Sequence, residues 1–181
     1  MNARINTAYS RTTHDRLQQQ PEEWYLYHSL YREARQNWAE IPYEKIATSL
    51  KRRLDWTIGD FGCGEAQLAT LLPNKVYSFD YVAINDTVMA CDTTRTPLDD
   101  ATLDVVVYSL SLMGLNYADY LKEAQRTLRF GDFLKIAEPI SRWADIRSEL
   151  LSVIAEAGFL IVGQVEESGQ FFYIDAIKME M

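Results

Sequence analysis

Short apolar segments alternate with helical patterns along most of this sequence, and this alternation restricts the fold more than any other feature. Apolar strands separated by helices are typical of a parallel β-sheet that helices cover on both faces. The strands predicted in this way are residues 56–61, 75–80, 87–91, 103–110, 132–138, 159–165 and 171–178. The helices predicted between them are residues 65–72, 117–128 and 142–157. The pattern therefore predicts an α/β fold with a seven-stranded, mostly parallel sheet.

Two connections in the predicted sheet depart from a simple alternation of strand and helix. Ser168 and Gly169 lie in the short turn between the last two strands, which predicts a C-terminal antiparallel hairpin at the sheet edge. Six residues separate Asp80 from Thr87, whereas parallel neighbours normally need about a dozen connecting residues. The crossover between the second and third strands must therefore be abbreviated.

A helical region rich in aromatic residues precedes the sheet. Aromatic and small residues in 14–39 fall near helical spacing, and Pro42 opens a second predicted helix over residues 43–54. We expect residues 1–55 to form a helical extension that covers the site as a lid. Residues 56–181 would then form the core of one compact domain, which a chain of 181 residues can supply.

The charge of the chain is unevenly distributed. Residues 1–56 carry a net charge of +2 and residues 57–181 a net charge of −10, so the whole chain carries −8. An acidic body repels polyanions, which argues against a protein that coats nucleic acid without specificity. If RNA is the substrate, the basic N-terminal third or a protein partner should supply the phosphate contacts.

Several classes of protein do not fit the remaining composition. No run of about 18 apolar residues is long enough to span a bilayer, and residues 1–10 have no apolar signal core. Cys63 and Cys91 fall at predicted buried strand ends and lack the spacing of metal ligands. We therefore expect reduced thiols, no metal and no membrane contact in an intracellular protein.

The strongest local signal is the glycine-rich segment 59–65, Gly-Asp-Phe-Gly-Cys-Gly-Glu, at the end of the first predicted strand. Gly62 and Gly64 allow a tight turn and let a ligand approach the backbone without interference from a Cβ atom. The N-terminus of the following helix favours a carboxylate or phosphate. Gln67 stands where a dinucleotide fingerprint needs a small residue, which argues against NAD or FAD.

Polar residues also follow the next three predicted strands. Asp80 comes 20 residues after Asp60 in the sequence. This is the spacing at which a carboxylate in this type of fold accepts hydrogen bonds from both ribose hydroxyls of a nucleoside. Asp92 ends the third strand, where it could accept a hydrogen bond from an adenine amine. Residues 108–114, Tyr-Ser-Leu-Ser-Leu-Met-Gly, leave the fourth strand. Each feature alone could be a turn or a helix cap, but their common place at strand ends predicts a site for a nucleoside-bearing cofactor.

Several of these segments resemble the ribosomal RNA-processing protein 8 (nucleomethylin) family. The resemblance covers the chain from about residue 25 onwards, and the Ser-Leu-Ser-Leu-Met-Gly run of 109–114 is specific to that family. The other segments that carry it are 60–64, 78–80, 91–92, 97–98 and 137–138. The resemblance implies a Rossmann-like class I methyltransferase that uses S-adenosylmethionine, releases S-adenosylhomocysteine and methylates N1 of an adenine in large-subunit ribosomal RNA.

The resemblance also implies which residues contact S-adenosylmethionine. Thr93 and Ser109 stand where the family usually has Met and Cys, and both changes preserve the shape around the adenine ring. His28 is either a packed core residue or, as the family match suggests, a cofactor ligand on the lid. The expected cofactor-binding residues are His28, Gly62, Gly64, Asp80, Asp92, Thr93 and Ser109.

The methyl acceptor should lie beside the same strand ends. We expect Ser109, Ser111, Met113 and Glu138 to face it, with Glu138 either offsetting positive charge on the methylated ring or acting only as a loop partner. Adenine N1 has a free lone pair and no proton to lose, so alignment in a dry pocket would supply most of the catalysis. A paired adenine would first have to be flipped out.

Two other functions remain compatible with the sequence. The acidic body favours a methyltransferase that acts on a small molecule or a protein side chain. A non-catalytic module that binds S-adenosylmethionine and acts through a protein partner is the second alternative. For the favoured function, a place in ribosome biogenesis implies the nucleus or nucleolus in a eukaryote and the cytoplasm otherwise.

Overall fold

A computed structural model describes residues 2–180, without the side chain of Asn2. Its helices are α1 (Asn2–Asn6), α2 (Ser10–Gln19), α3 (Pro21–Arg35), α4 (Pro42–Leu50), α5 (Gln67–Leu71), α6 (Tyr117–Thr127), α7 (Ile140–Trp143) and α8 (Arg147–Glu156). Its strands are β1 (Thr57–Phe61), β2 (Lys75–Asp80), β3 (Val88–Ala90), β4 (Leu103–Ser109), β5 (Leu128–Pro139), β6 (Phe159–Ser168) and β7 (Phe171–Lys178). Within residues 2–180, the seven strands form one sheet in the order β3-β2-β1-β4-β5-β7-β6.

The strand directions confirm both unusual connections expected from the sequence. β2 and β3 pair in parallel, with Ser78 opposite Val88, although only a short loop joins them. β7 is antiparallel to both β5 and β6, and Ser168 pairs with Phe171 across the hairpin turn. The order of the sheet reverses at β1 and β4, where ligands of open α/β sheets normally bind.

The alternation of side chains along the central strands produces a core on each face of the sheet. On β4, Val106 and Tyr108 pack with α6 and α8, whereas Val105 and Val107 pack against α4 and α5. All four side chains are fully buried. A strand covered on both faces reads as a continuous apolar run, which explains why β4 was recognisable in the sequence.

The N-terminal helices pack against the sheet at the C-terminal end of β2. Ile5, Leu17 and Trp24 are buried together with Tyr81 and Val82, the two residues that follow β2. Since α1, α2 and α3 each contribute one of these apolar side chains, all three helices are fastened to the same end of the fold.

Polar bonds add to this attachment at the start of α2. The hydroxyl of Ser10 donates a hydrogen bond to Asp92 Oδ2 at 2.9 Å and accepts one from Asn116 Nδ2 at 3.0 Å. The backbone N–H of Ser10 donates to Asn116 Oδ1 at 2.9 Å. Ser10 therefore links the N-terminal helices to the loops that follow β3 and β4.

Several predicted boundaries were wrong, each for a local reason. The helix predicted over 142–157 is divided into α7 and α8 by a turn, and this turn accompanies the burial of Trp143 against Tyr117. β3 begins at Val88 rather than Thr87, because the N–H of Thr87 donates to the side chain of Asn85.

The helices around the first strand also differ from the prediction. α5 begins at Gln67 rather than residue 65, since Ala66 has a left-handed backbone with φ of 58°. This helix has only five residues, so its dipole is a weaker source of positive potential than expected. The helix predicted over 43–54 ends at Leu50, and the short helix α1 was not predicted at all.

In the part of the chain that the structure describes, no helix has the length and apolar character needed to cross a bilayer.

We expect Ser10→Ala to weaken the attachment of the N-terminal helices, because Asp92 and Asn116 both lose their bond to the hydroxyl. The free energy of unfolding should fall by about 1–2 kcal/mol in urea denaturation. Hydrogen exchange should increase in α2 and α3 more than in β4. Thr12→Ala, at an exposed position on α2, is the matched control. Equal stability of the two variants would contradict this role of Ser10.

Candidate active site

The glycine-rich loop after β1 is held against the end of β2. The N–H groups of Gly62 and Cys63 donate to the carbonyl oxygen of Phe79 at 2.8 and 2.9 Å. Gly62 has a φ of 79°, and a Cβ atom there would lie 2.3 Å from the Cβ of Ser111. The loop therefore needs glycine at this position both for its backbone conformation and for its close approach to the β4 loop.

Gly64 brings the same loop into contact with α3. Its φ is 58°, and a Cβ atom would lie 2.7 Å from the imidazole Cε1 of His28. The structure thus places the His28 ring directly over the glycine loop. Arg32, one turn further along α3, forms an ion pair with Glu65 and strengthens the contact between helix and loop.

His28 is buried and uncharged. Burial, followed by the nearby charges of Arg32 and Arg35, lowers the pKa of His28 to about 4. Its Nε2 atom is buried and has no hydrogen-bond partner among residues 2–180. The ring of Trp24 lies edge-on at 4.7 Å between centroids. A neutral imidazole with a free nitrogen at the cavity wall suits a hydrogen bond to a bound ligand.

Asp80 lies at the carboxyl end of β2, next to the glycine loop. Its Oδ2 accepts a hydrogen bond from the N–H of Gly64 at 2.6 Å, and its Oδ1 accepts one from the N–H of Tyr81 at 2.7 Å. Burial raises the pKa of Asp80 to about 7, although these two hydrogen bonds act in the opposite direction. Each carboxylate oxygen has a second lone pair with which to accept from a ligand.

A second acid, Asp60, lines the same cavity from within β1. It was part of the recognised glycine-rich segment but was not expected to be a site residue. Burial, followed by the charge of Asp80, raises the pKa of Asp60 to about 7. A buried acid in a central strand was the available signal, because such a residue is rare without a binding or structural role.

The end of β4 and the loop that follows it supply three of the expected residues. Ser109 and Ser111 both line the cavity, and so does Met113. The hydroxyl of Ser111 donates to the carbonyl oxygen of Phe61 at 2.6 Å and so joins the loop to β1. The hydroxyl of Ser109 is buried without a partner among residues 2–180, which leaves it free for a ligand.

Thr93 and Asp92, which follow β3, separate in the structure. Thr93 is buried at the cavity wall, and its contact with the cofactor stays a prediction. Asp92 does not line the cavity: its Oδ2 accepts from Ser10, and its Oδ1 accepts from the backbone and hydroxyl of Thr94. In this structure Asp92 lies outside the cavity wall and holds the protein's own loops and helix, and the expectation that it faces an adenine amine stays a prediction.

These residues surround one cavity at the switch in strand order. Its volume, including the open mouth and the solvent space there, is about 810 Å³. Sequence reasoning missed several of its walls, because aromatic residues at helical spacing more often indicate core packing. The missed wall residues are Trp24, Tyr27, Tyr31, Arg35, Tyr43, Asp60, Cys63, Glu65, Gln67, Leu68, Tyr81, Leu110 and Tyr120.

Glu138, expected at the acceptor side, is fully buried next to this cavity. Its Oε1 accepts from the N–H of Leu112 at 2.9 Å, and its Oε2 accepts from the indole of Trp143 at 3.0 Å. The guanidinium of Arg142 lies 3.5 Å from Oε2. These bonds correspond to the alternative of Glu138 as a loop partner: the carboxylate fixes the β4 loop, and neither oxygen is left without a partner.

The sequence predicts no metal site and two reduced cysteines. Among residues 2–180, no three His, Cys, Asp or Glu side chains are grouped so that they could hold a metal ion. Cys63 and Cys91 are free thiols in half-buried loops just beyond the strands, rather than within strand ends.

The strand order and the cavity at the carboxyl ends of β1, β2 and β4 define a class I methyltransferase fold. One solved structure with this fold is the 1,6-didemethyltoxoflavin-N1-methyltransferase of Burkholderia thailandensis, with bound S-adenosylhomocysteine. The TM-score is 0.65 at 17% identity, over 87% of each chain. The chain belongs to the family described as "hypothetical methyltransferase", whose model matches residues 1–181.

Two curated relatives extend this comparison. "Ribosomal RNA-processing protein 8" of Mus musculus is 35% identical over 179 residues, which are 98% of this chain and 39% of that protein. The "25S rRNA (adenine(645)-N(1))-methyltransferase" of Schizosaccharomyces pombe is 34% identical over 165 residues, covering 84% of this chain and 52% of that protein. This chain therefore spans about half or less of the length of these two relatives.

The raised pKa of Asp60 predicts a pH-dependent effect of Asp60→Asn. The folded-state pKa of about 7 lies above the ordinary value of 3.8, so the contribution of Asp60 to stability is lost as the pH rises from 3.8 through 7. The thermal midpoint of Asp60→Asn relative to the unaltered protein should therefore increase between pH 5 and pH 8. Calorimetry of the ligand-free proteins measures it, with the exposed Asp99→Asn as control. A difference independent of pH would be inconsistent with this assignment.

Proposed function

We propose that this protein is an S-adenosylmethionine-dependent methyltransferase that transfers a methyl group to N1 of an adenine in large-subunit ribosomal RNA. The observation that carries the proposal is a cavity built on Gly62, Gly64 and Asp80 at the switch in strand order. The similarity to the Schizosaccharomyces pombe enzyme, whose printed name gives that reaction, supports the choice of acceptor.

The polar atoms at the cavity wall fit such a cofactor. His28 Nε2 and the hydroxyl of Ser109 are buried without partners, and a polar ligand would satisfy both. In this proposal Asp80 accepts from the ribose hydroxyls and Thr93 contacts the adenine. Gly62 and Gly64 admit the amino acid end of the cofactor to the backbone. When bound, S-adenosylmethionine supplies a methyl group activated by a positively charged sulfur.

The two buried acids favour a cationic ligand. Burial raises the pKa of Asp60 and of Asp80 to about 7, and a positive charge in the cavity would favour their ionised forms. A cofactor that carries a sulfonium and an ammonium group provides that charge. Electrostatic attraction from these carboxylates therefore supports S-adenosylmethionine over an anionic nucleotide such as ATP.

The residues around the cavity can promote transfer without a strong base. Adenine N1 presents a free lone pair at neutral pH, so the protein has only to align it and exclude water. Trp24, Tyr27 and Tyr31 on α3 provide an apolar cover for the cavity. Their rings also stabilise positive charge on the methylated base through cation–π attraction.

The N-terminal helices would act as a lid in this reaction. In this proposal residues 1–55 are the lid: His28 and Tyr31 of α3 line the cavity, and opening of α3 would admit the cofactor. Arg35 lies over the rings of Tyr31 and Tyr43, with its guanidinium carbon 5.6 and 5.5 Å from the ring centroids. Its charge at the cavity wall supports a contact with RNA phosphate. The proposed reaction belongs to ribosome biogenesis, in the nucleolus of a eukaryote or the cytoplasm of a prokaryote.

Methyl transfer from tritiated S-adenosylmethionine to total RNA tests the reaction. We expect the label in RNA, and digestion to nucleosides should recover it as N1-methyladenosine. A parallel incubation with total protein is the control for the acceptor class. Label in the protein fraction would contradict the RNA acceptor, and cofactor binding without any transfer would favour a non-catalytic binding module.

Asp80→Ala should remove binding of the cofactor. Each ribose bond to a charged acceptor contributes about 1.5–3 kcal/mol, so loss of both predicts at least about a hundredfold rise in Kd. Isothermal calorimetry with S-adenosylhomocysteine measures this effect, and circular dichroism checks that the variant is folded. The exposed Asp99→Ala should bind normally. Unchanged affinity in a folded Asp80→Ala protein would refute the ribose assignment.

A further inference from the structure

A second cavity opens beside the proposed cofactor cavity at the same end of the sheet. The two cavities share Tyr27, Tyr31, Leu110 and Met113 as walls. The second cavity has a volume of about 900 Å³ with its open mouth and the solvent space there included. A group bound there would be separated from the cofactor cavity only by these shared side chains.

One side of the second cavity is an aromatic wall formed by Tyr31, Trp38 and Phe171. The ring centroids of Tyr31 and Trp38 are 5.4 Å apart, and those of Trp38 and Phe171 are 5.0 Å apart. Unpaired nucleic acid bases bind to proteins by stacking on aromatic rings. Tyr31 and Trp38 are partly exposed and available for this, whereas Phe171 is buried and packs edge to face against Trp38. The same rings attract a cationic base, which is what methylation at a ring nitrogen produces. The wall therefore suits both the substrate and the product form of a base.

Asn6, at the end of α1, supplies a polar group on another side. Its Oδ1 atom is buried and has no hydrogen-bond partner among residues 2–180. A buried acceptor without a donor is unfavourable, so a ligand that brings an N–H group to this position would be bound preferentially. Glu138 also borders this cavity, but its oxygens already accept from Leu112 and Trp143. Asn6 is therefore the better candidate to recognise a donor on the ligand.

We infer that this second cavity receives the unpaired adenine, and that Asn6 Oδ1 accepts a hydrogen bond from the exocyclic amine of that base. This inference rests on the proposed function and adds a residue that selects the base. The amine and N1 are neighbours on one edge of adenine, so holding the amine also orients N1. Asparagine is well suited to adenine because its amide can pair with the N6 amine and N7 of that base, which leaves the N1 lone pair free.

The transfer step at this site balances without a base catalyst. The N1 lone pair forms the new bond to the methyl carbon while the carbon–sulfur bond breaks and its electron pair remains on sulfur. The positive charge moves from sulfur to the base, and no proton leaves. The aromatic wall then faces the charged product, whereas Asn6 holds the amine before and after transfer. Asn6 is thus a specificity-determining residue.

Two RNA oligonucleotides that differ by one amine test the inference. One is a single-stranded uridine oligonucleotide with one adenosine, and the other has purine riboside there, which keeps N1 but lacks the amine. With the protein saturated by S-adenosylhomocysteine, fluorescence polarisation gives the Kd of each. The unaltered protein should bind the adenosine oligonucleotide about tenfold more tightly, as expected for one hydrogen bond.

Asn6→Ala should lose this preference while binding the purine riboside oligonucleotide as before. Asn37→Ala, at an exposed asparagine after α3, should keep the preference. Calorimetry with S-adenosylhomocysteine checks that each variant keeps its cofactor site. A similar loss of affinity for both oligonucleotides in Asn6→Ala would indicate a structural role and overturn the inference. So would the absence of any preference in the unaltered protein.

The outcomes also separate this inference from the proposed reaction. If RNA is methylated at adenine N1 while Asn6→Ala keeps the tenfold preference, the reaction stands and the role of Asn6 is wrong. If the preference exists and depends on Asn6 but no RNA is methylated, the base site stands and the proposed reaction fails.

Discussion

The hydrogen bond from the N–H of Gly64 to the Asp80 carboxylate is the interaction on which the rest of the site depends. Together with the bonds from Gly62 and Cys63 to Phe79, it joins the ends of β1 and β2 and fixes the path of the glycine loop. The bond also holds the Asp80 carboxylate in a buried position, and this burial raises its pKa. A positively charged ligand would relieve that unfavourable burial, so the geometry and the electrostatics of this edge favour the same class of cofactor.

A second layer of structure depends on this loop. His28 packs over Gly64, and Ser10 bonds to Asp92, so α2 and α3 are attached to the same edge of the sheet that carries the cavity. The helices therefore form walls of the cavity rather than a separate unit beside it. The cofactor cavity and its neighbour share residues of α3 and of the β4 loop, and this adjacency is what a transfer between two bound groups requires.

Much of this arrangement was predictable, because its signals are local. The apolar run of β4 indicates a parallel sheet that is covered on both faces. The glycines at 62 and 64 indicate a loop that a ligand can approach, and Asp80 follows at the expected spacing in the sequence. Asp92 and Glu138 were recognised as important acids, but their partners were not predictable. The residues that occupy their oxygens, Ser10 and Leu112, lie 82 and 26 positions away along the chain.

By itself, the sequence determined the fold class, the strand ends that form the site and the identity of the loop that a ligand approaches. These properties follow from side-chain periodicity and from the backbone freedom of glycine, which neighbouring residues carry. Only the tertiary structure decided which polar atoms remain free. Among residues 2–180, Asn6 Oδ1 and the Ser109 hydroxyl have no hydrogen-bond partner, whereas Asp92 accepts a hydrogen bond from Ser10. Whether a polar atom has a hydrogen-bond partner depends on every group that packing brings within about 3 Å. Many of these groups come from distant segments of the chain, so neighbouring residues do not predict them.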